Sequence, residues 1–257
     1  MTGRTRARTK PRKPKPNSTN PPESEANVTV SILSFDLDDT VWDPRPALIA
    51  ADTAQWKFLA AQFPALADHF TKDRVMGCRK RVIDSSPLIV GDVTALRIEV
   101  MQQLLLSLGV GADMALEAAN DAFAAFMAQR NDVILFPDAR EVLSQLATQF
   151  TLIAITNGNA DVHKTPLGPF FRLAFRADEV GSAKPEAKIF EVAMRSLDCL
   201  PSEVIHIGDS IETDVNGALN AGITPVWFNP EGKENGLGVN EVRSLTELPA
   251  VIARLNV

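Results

Sequence analysis

The stretch "SFDLDDTVWD" (Ser34–Asp43) follows the apolar run "VTVSIL" and sets four carboxylates, Asp36, Asp38, Asp39 and Asp43, within eight residues. Two carboxylates ~4 Å apart repel by ~4 kcal/mol at an effective dielectric near 20. A solvated turn can carry such a group without function, so the rest of the chain has to say whether a cation belongs there.

Other apolar runs also end in polar residues. "FTLIAIT" runs into Asn157-Gly158 and "VIHIG" into Asp209, and "TPVWF" follows later. Continuous runs of this kind suit strands buried on both faces of a parallel sheet. Helical patterns lie between them, in "DAREVLSQLATQF" and "EAKIFEVAMRSLD". This alternation predicts an α/β fold, a Rossmann-like three-layer core on a parallel sheet, with ligands beyond the carboxyl ends of the strands. From Pro44 to Asp132 the pattern is helix after helix: Ile49, Trp56, Ala60 and Phe63; Ile98, Met101, Leu105 and Leu108; Leu116, Ala119, Phe123 and Phe126. These stripes read as the core of an inserted all-helical domain. The expected organisation is a basic tail over 1–26, an α/β core over 27–44 and 133–257, and a helical cap over 45–132.

Composition bounds the rest. The chain has 257 residues, 45 % hydrophobic and 23 % charged, which is ordinary for a globular protein. No run approaches the ~18–20 apolar residues of a membrane span. "MTGRTRARTKPRKPKPNSTNPP" holds seven of the 26 Lys and Arg and no acid, leaving 19 bases against 32 acids elsewhere. Such a segment buries too little apolar surface to offset its ordering entropy, so it is expected to be disordered and solvated; contact with nucleic acid or another anionic surface is the alternative. Cys78 and Cys199 have no paired-ligand spacing and read as reduced thiols, implying a cytoplasmic setting rather than a zinc site.

Folded as an α/β sheet, the strand ends gather Asp36, Asp38, Thr156, Asn157, Gly158, Lys184, Asp209 and Asp214 at one edge. A hard divalent cation turns the carboxylate repulsion into attraction, and Mg²⁺ suits a few carboxylates together with waters and a phosphate. In order along the chain, "DLDDT", "TNG", "AKP" and "GDSIETDVNGALNAG" resemble the four signature motifs of the haloacid dehalogenase-like phosphohydrolases, over residues from about 30 to 230. The resemblance implies that Asp36 is a nucleophile that takes the phosphoryl group as an aspartyl phosphate. Asp38 then protonates the leaving alkoxide and afterwards activates water. The Asp36 carboxylate, the Asp38 backbone carbonyl and Asp209 hold Mg²⁺, with Asp214 orienting them from behind. Thr156, Asn157 and Gly158 hold phosphoryl oxygens, and Lys184 neutralises charge on nucleophile and phosphate.

Neighbouring residues have plainer readings. Asp39 and Asp43 read as solvent-facing, Thr40 as either loop support or a substrate contact, Ser210 as a helix cap, His206 as a core histidine and His163 as a solvated loop residue. Arg79, Arg81 and Arg97 read as helix-surface charge. Dehalogenation involves no leaving alkoxide and needs no Mg²⁺, so Asp38 and Asp209 argue for a phosphatase; a phosphomutase stays open, as does a non-enzymatic binding protein. The helical insertion is similar to the cap of the family's first subclass. Stretches such as "LIAITNGNADVHKTPLGPFFRLAFRADEVGSAKPEAKIFEVA" resemble bacterial phosphatases of FMN and 5-amino-6-(5-phospho-ribitylamino)uracil. This implies a small phosphorylated metabolite, in riboflavin biosynthesis, as substrate.

Overall fold

The computed structural model describes residues 2–3 and 29–256. Apart from residues 2–3, the segment read as a basic tail lies outside the described residues. The core is a six-stranded, all-parallel sheet. Its strands are β1 (Ile32–Phe35), β4 (Thr151–Thr156), β5 (Phe171–Arg176), β6 (Val204–Gly208), β7 (Thr224–Phe228) and β8 (Asn240–Val242), in the spatial order β5-β4-β1-β6-β7-β8. The short strands β2 (Trp42–Asp43) and β3 (Ile134–Leu135) pair antiparallel and form the doorway through which the chain leaves the core and returns.

Successive residues of a strand face opposite sides, and the sequence fills both sides with apolar groups. Leu33 and Phe35 of β1 pack with Val142, Leu143 and Leu146 of α5 (Ala139–Leu146) and with Val251 and Ile252 of α9 (Leu248–Leu255). On the other face, Ile32, Ile153 and Ile155 meet Ile189, Phe190 and Ala193 of α7 (Ala187–Leu197). Burying one such large apolar side chain is worth roughly 1.5–3 kcal/mol, and the two layers enclose the sheet. The strands β5 and β8 went unread in the sequence. In "FRLAFR" arginines interrupt the apolar residues because β5 is a sheet edge.

Between β2 and β3 stand α1 (Arg45–Gln62), α2 (Lys72–Ser85), α3 (Val93–Ser107) and α4 (Ala112–Arg130). Asp92 caps α3, its Oδ1 accepting from the Ala95 N–H at 2.8 Å. The packed faces differ from the expected stripes. Ile49 is 68 % and Leu116 45 % exposed, whereas α1 buries Ala47, Ala51, Gln55 and Leu59 and α4 buries Ala115, Ala118, Ala119, Ala122, Phe126 and Arg130. Small alanines let α1 and α4 approach closely, so shape complementarity rather than side-chain size selects the seam. On α3, Met101 and Leu105 are buried as expected. Among the described residues, no helix is long and apolar enough to cross a membrane.

Candidate active site

Asp36 follows the last residue of β1, Thr156 closes β4, and Asp209 follows β6 directly. Adjacency of these three strands therefore brings together residues more than 100 positions apart. Lys184 comes from the loop before α7, and its Nζ lies 2.6 Å from Asp36 Oδ1, 2.6 Å from Asp214 Oδ1 and 2.8 Å from the Ile155 carbonyl. The Asn157 side chain fixes that loop: its Oδ1 accepts from the Lys184 N–H at 2.8 Å and its Nδ2 donates to the Lys184 carbonyl at 2.9 Å. Thr156 Oγ1 accepts from the Gly158 N–H at 3.0 Å.

One ammonium thus serves two buried carboxylates. Burial alone would raise Asp214, but Lys184 and His206 outweigh it and hold Asp214 below the ordinary carboxylate range. Burial pushes Asp36 up to about 8, against the attraction of Lys184 and with the help of Asp214. Burial, then Asp214 and Asp39, raise Asp209 to about 6. Burial would lower Lys184, yet Asp214 and Asp36 keep it above its ordinary value. Asp36 and Asp209 are thus the two carboxylates left short of positive charge.

Carboxylate oxygens of Asp36, Asp209 and Asp214 all lie within 4.8 Å of one another. Asp214 is already engaged: Oδ1 faces Lys184 and the His206 ring at 3.4 Å, and Oδ2 accepts from the Ser210 N–H at 3.0 Å. Thr40 Oγ1 bridges Asp36 Oδ2 at 3.2 Å and Asp209 Oδ1 at 3.3 Å. A cluster of hard carboxylate oxygens fits a magnesium ion, and Asp214, with both oxygens already engaged, has the least left to offer it.

Asp38 borders the same pocket but is not part of the carboxylate group that could share an ion. Its Oδ1 accepts from Trp42 Nε1 at 2.7 Å and its Oδ2 from Arg130 Nη2 at 2.6 Å. Two glycines make room for these carboxylates. A Cβ on Gly158 would stand 2.6 Å from Asp38 Oδ2, and one on Gly208 would overlap the Asp214 side chain. Asp39 turns the loop in the left-handed region, with φ 60°.

The other readings resolve individually. Asp39 is exposed and Asp43 pairs with Arg45 at 2.7 Å. Ser210 caps the turn at Thr213, and His163 is exposed. His206 is buried, its Nδ1 2.7 Å from Ser34 Oγ. Arg97 is not plain surface charge: its guanidinium stacks 3.9 Å over the Phe126 ring and bonds Asp52 at 2.9 Å. With Arg79 it lines a cavity of about 660 Å³ that is bounded by all four cap helices and by Asp38, Gly158 and Asn159. Sequence reading also passed over Arg130, though it placed Asn159 among the polar residues that end β4. The available signal was a polar residue on the apolar face of α4, in phase with Ala119, Ala122 and Phe126.

Comparison with known proteins agrees with this geometry. A family model described as haloacid dehalogenase-like hydrolase matches residues 30–222. The chain belongs to that family, and it is a phosphatase. It is 34 % identical over 202 residues to the 5-amino-6-(5-phospho-D-ribitylamino)uracil phosphatase YigB of Escherichia coli, covering 79 % of this chain and 84 % of that one. The N-acylneuraminate-9-phosphatase of Mus musculus is 24 % identical, with 88 % and 95 % covered. Among solved structures, one titled 2-haloacid dehalogenase from Pseudomonas syringae superposes with a TM-score of 0.81 at 36 % identity, covering 88 % of this chain and 99 % of that one.

Proposed function

We propose that the chain is a Mg²⁺-dependent phosphomonoesterase working through an aspartyl phosphate on Asp36. The observation that carries the reading is the sharing of the Lys184 ammonium between Asp36 and Asp214 at 2.6 Å each, which leaves Asp36 and Asp209 short of positive partners at the sheet edge. In the first step an Asp36 oxygen attacks phosphorus, the ester P–O bond breaks, and Asp38 gives its proton to the departing alkoxide. In the second, Asp38 takes a proton from water as that water attacks phosphorus and frees Asp36. In this reading the Thr156 hydroxyl, which accepts from the Gly158 N–H, and the Asn157 N–H serve the phosphoryl oxygens, and Lys184 offsets their charge against that of the nucleophile. When bound by Asp36, the Asp38 carbonyl and Asp209, magnesium supplies the charge neutralisation that lets an anionic nucleophile meet an anionic ester.

The substrate is a small phosphorylated metabolite with a leaving group that enters the cap cavity, FMN or 5-amino-6-(5-phospho-ribitylamino)uracil. The likeness to YigB supports this choice, as does a cavity walled by Trp56, Phe70 and Phe126, a surface suited to a flat ring. Phosphate release from p-nitrophenyl phosphate in Mg²⁺ tests the chemistry. Asp36→Asn is expected to lower kcat by at least about 10³-fold with an unchanged circular dichroism spectrum. Full activity in that variant eliminates the nucleophile. Chloride release from 2-chloropropionate without phosphate release from any ester would replace the phosphatase with a dehalogenase.

A further inference from the structure

Arg130 has no part in the chemistry just described. It is the last residue of α4 and its side chain is 1 % exposed. The guanidinium reaches from the cap to both catalytic loops of the core: Nη2 donates to Asp38 Oδ2 at 2.6 Å and Nε to Asn159 Oδ1 at 3.1 Å. The third nitrogen, Nη1, is buried and meets no acceptor among the described residues. Buried donors are nearly always satisfied, so an unmet one beside a cavity marks the place of an acceptor that arrives with a ligand.

The position of that cavity defines the ligand. A smaller pocket beside Asp36, Thr156, Lys184 and Asp209 is lined by Asp38, Val93 and Gly158, and the 660 Å³ cap cavity is lined by the same three residues. An ester with its phosphorus at Asp36 therefore sends its leaving group past Asp38 and Arg130 into the cap. Arg130 already pairs with Asp38 at 2.6 Å, and nearer the rim Arg97 pairs with Asp52, which is exposed, at 2.9 Å. Lys72 and Arg79, the remaining cations on the wall, are exposed. A hydroxyl or carbonyl oxygen entering this space satisfies Nη1 and leaves the Nη2 bond to Asp38 in place.

Building on the phosphatase reading of the site, we infer that Arg130 is a specificity-determining residue whose Nη1 donates to a neutral hydroxyl or carbonyl oxygen on the leaving group. Through Nη2 the same side chain is a positioning residue for Asp38. The preferred substrates are then monoesters of polyols or of carbonyl-bearing alcohols, ahead of simple alkyl phosphates.

The test compares kcat/KM of the full chain in Mg²⁺ for glycerol 3-phosphate and for n-propyl phosphate, which has the same carbon skeleton without hydroxyls. The wild type is expected to favour glycerol 3-phosphate by about tenfold or more, since a site built to bond an oxygen discriminates against the analogue lacking it. Arg130→Met is expected to slow both reactions, through Asp38, and to bring their ratio close to one; Arg130→Lys is expected to recover rate more than ratio. An equal loss on both substrates, with the ratio preserved, overturns the assignment and leaves a purely positioning role. A wild-type ratio near one overturns it too, even if the methionine variant does not fold. If the wild type hydrolyses neither ester nor p-nitrophenyl phosphate, the phosphatase reading falls and this assignment falls with it.

Discussion

At the scale of single residues, the site is a charge problem set by burial. Asp36 and Asp214 compete for one ammonium, and Asp214, with His206 and the Ser210 N–H as additional partners, holds the larger share. Without a cation, Asp36 is the group left short. Its pKa rises from 3.8 to about 8, so between those values the folded protein holds a proton that the unfolded chain releases. The stability this contributes is complete below 3.8 and lost as pH rises through about 8. In EDTA, Asp36→Asn removes that loss. The difference in urea midpoint between variant and wild type is therefore expected to move in favour of the variant from about pH 5 to about pH 9. A difference that stays constant, or moves the other way, would mean that Asp36 keeps its charge in the apo protein. The strand-end acids were legible in sequence because each interrupts an apolar run at its last residue. Arg130 was not, because it lies 92 positions from the carboxylate it holds.

At the scale of elements, the cap depends on the seam between α1 and α4. Ala47 and Ala51 on one helix and Ala115, Ala118, Ala119 and Ala122 on the other are almost fully buried. No space remains there for a larger side chain, and overpacking a close helix contact costs roughly 1–3 kcal/mol. Ala118→Leu is expected to lower unfolding stability by that amount, read from the urea midpoint; an unchanged midpoint would show that the seam is loose. The stripes read from sequence overlap this seam at Ala119 and Phe126 but also included Ile49 and Leu116. Helical periodicity reports which residues share a face, but partner geometry decides which face is buried. Ile49 and Leu116 are apolar and periodic and still face outward.

At the scale of the whole molecule, two bodies meet over one reaction centre. The sheet supplies Asp36, Thr156, Lys184 and Asp209; the cap supplies the cavity wall; Arg130 and the hydrogen bond from Thr94 Oγ1 to Asp178 Oδ2 at 2.7 Å tie the two together. Because a bound cation supplies the positive charge that Asp36 and Asp209 lack in the folded protein, Mg²⁺ is expected to stabilise the whole chain. At about 100 times its Kd the linkage amounts to ~2.7 kcal/mol, a rise of several degrees in Tm. Thermal melts in EDTA and in saturating Mg²⁺ check this. An identical Tm under both conditions would argue that no cation binds at the acidic cluster.

The linear chain by itself determined the α/β class, the order of the four motifs and the identity of the acids and the lysine. Those features reside in local patterns: apolar runs of strand length, polar residues closing them, and helical spacing between them. The tertiary structure alone decided that two carboxylates share one ammonium, which cap faces meet, and that Arg130 and Arg97 line the cap cavity. These depend on distances between residues remote in sequence, set by close packing and by the electrostatics of buried charge, which no local pattern contains.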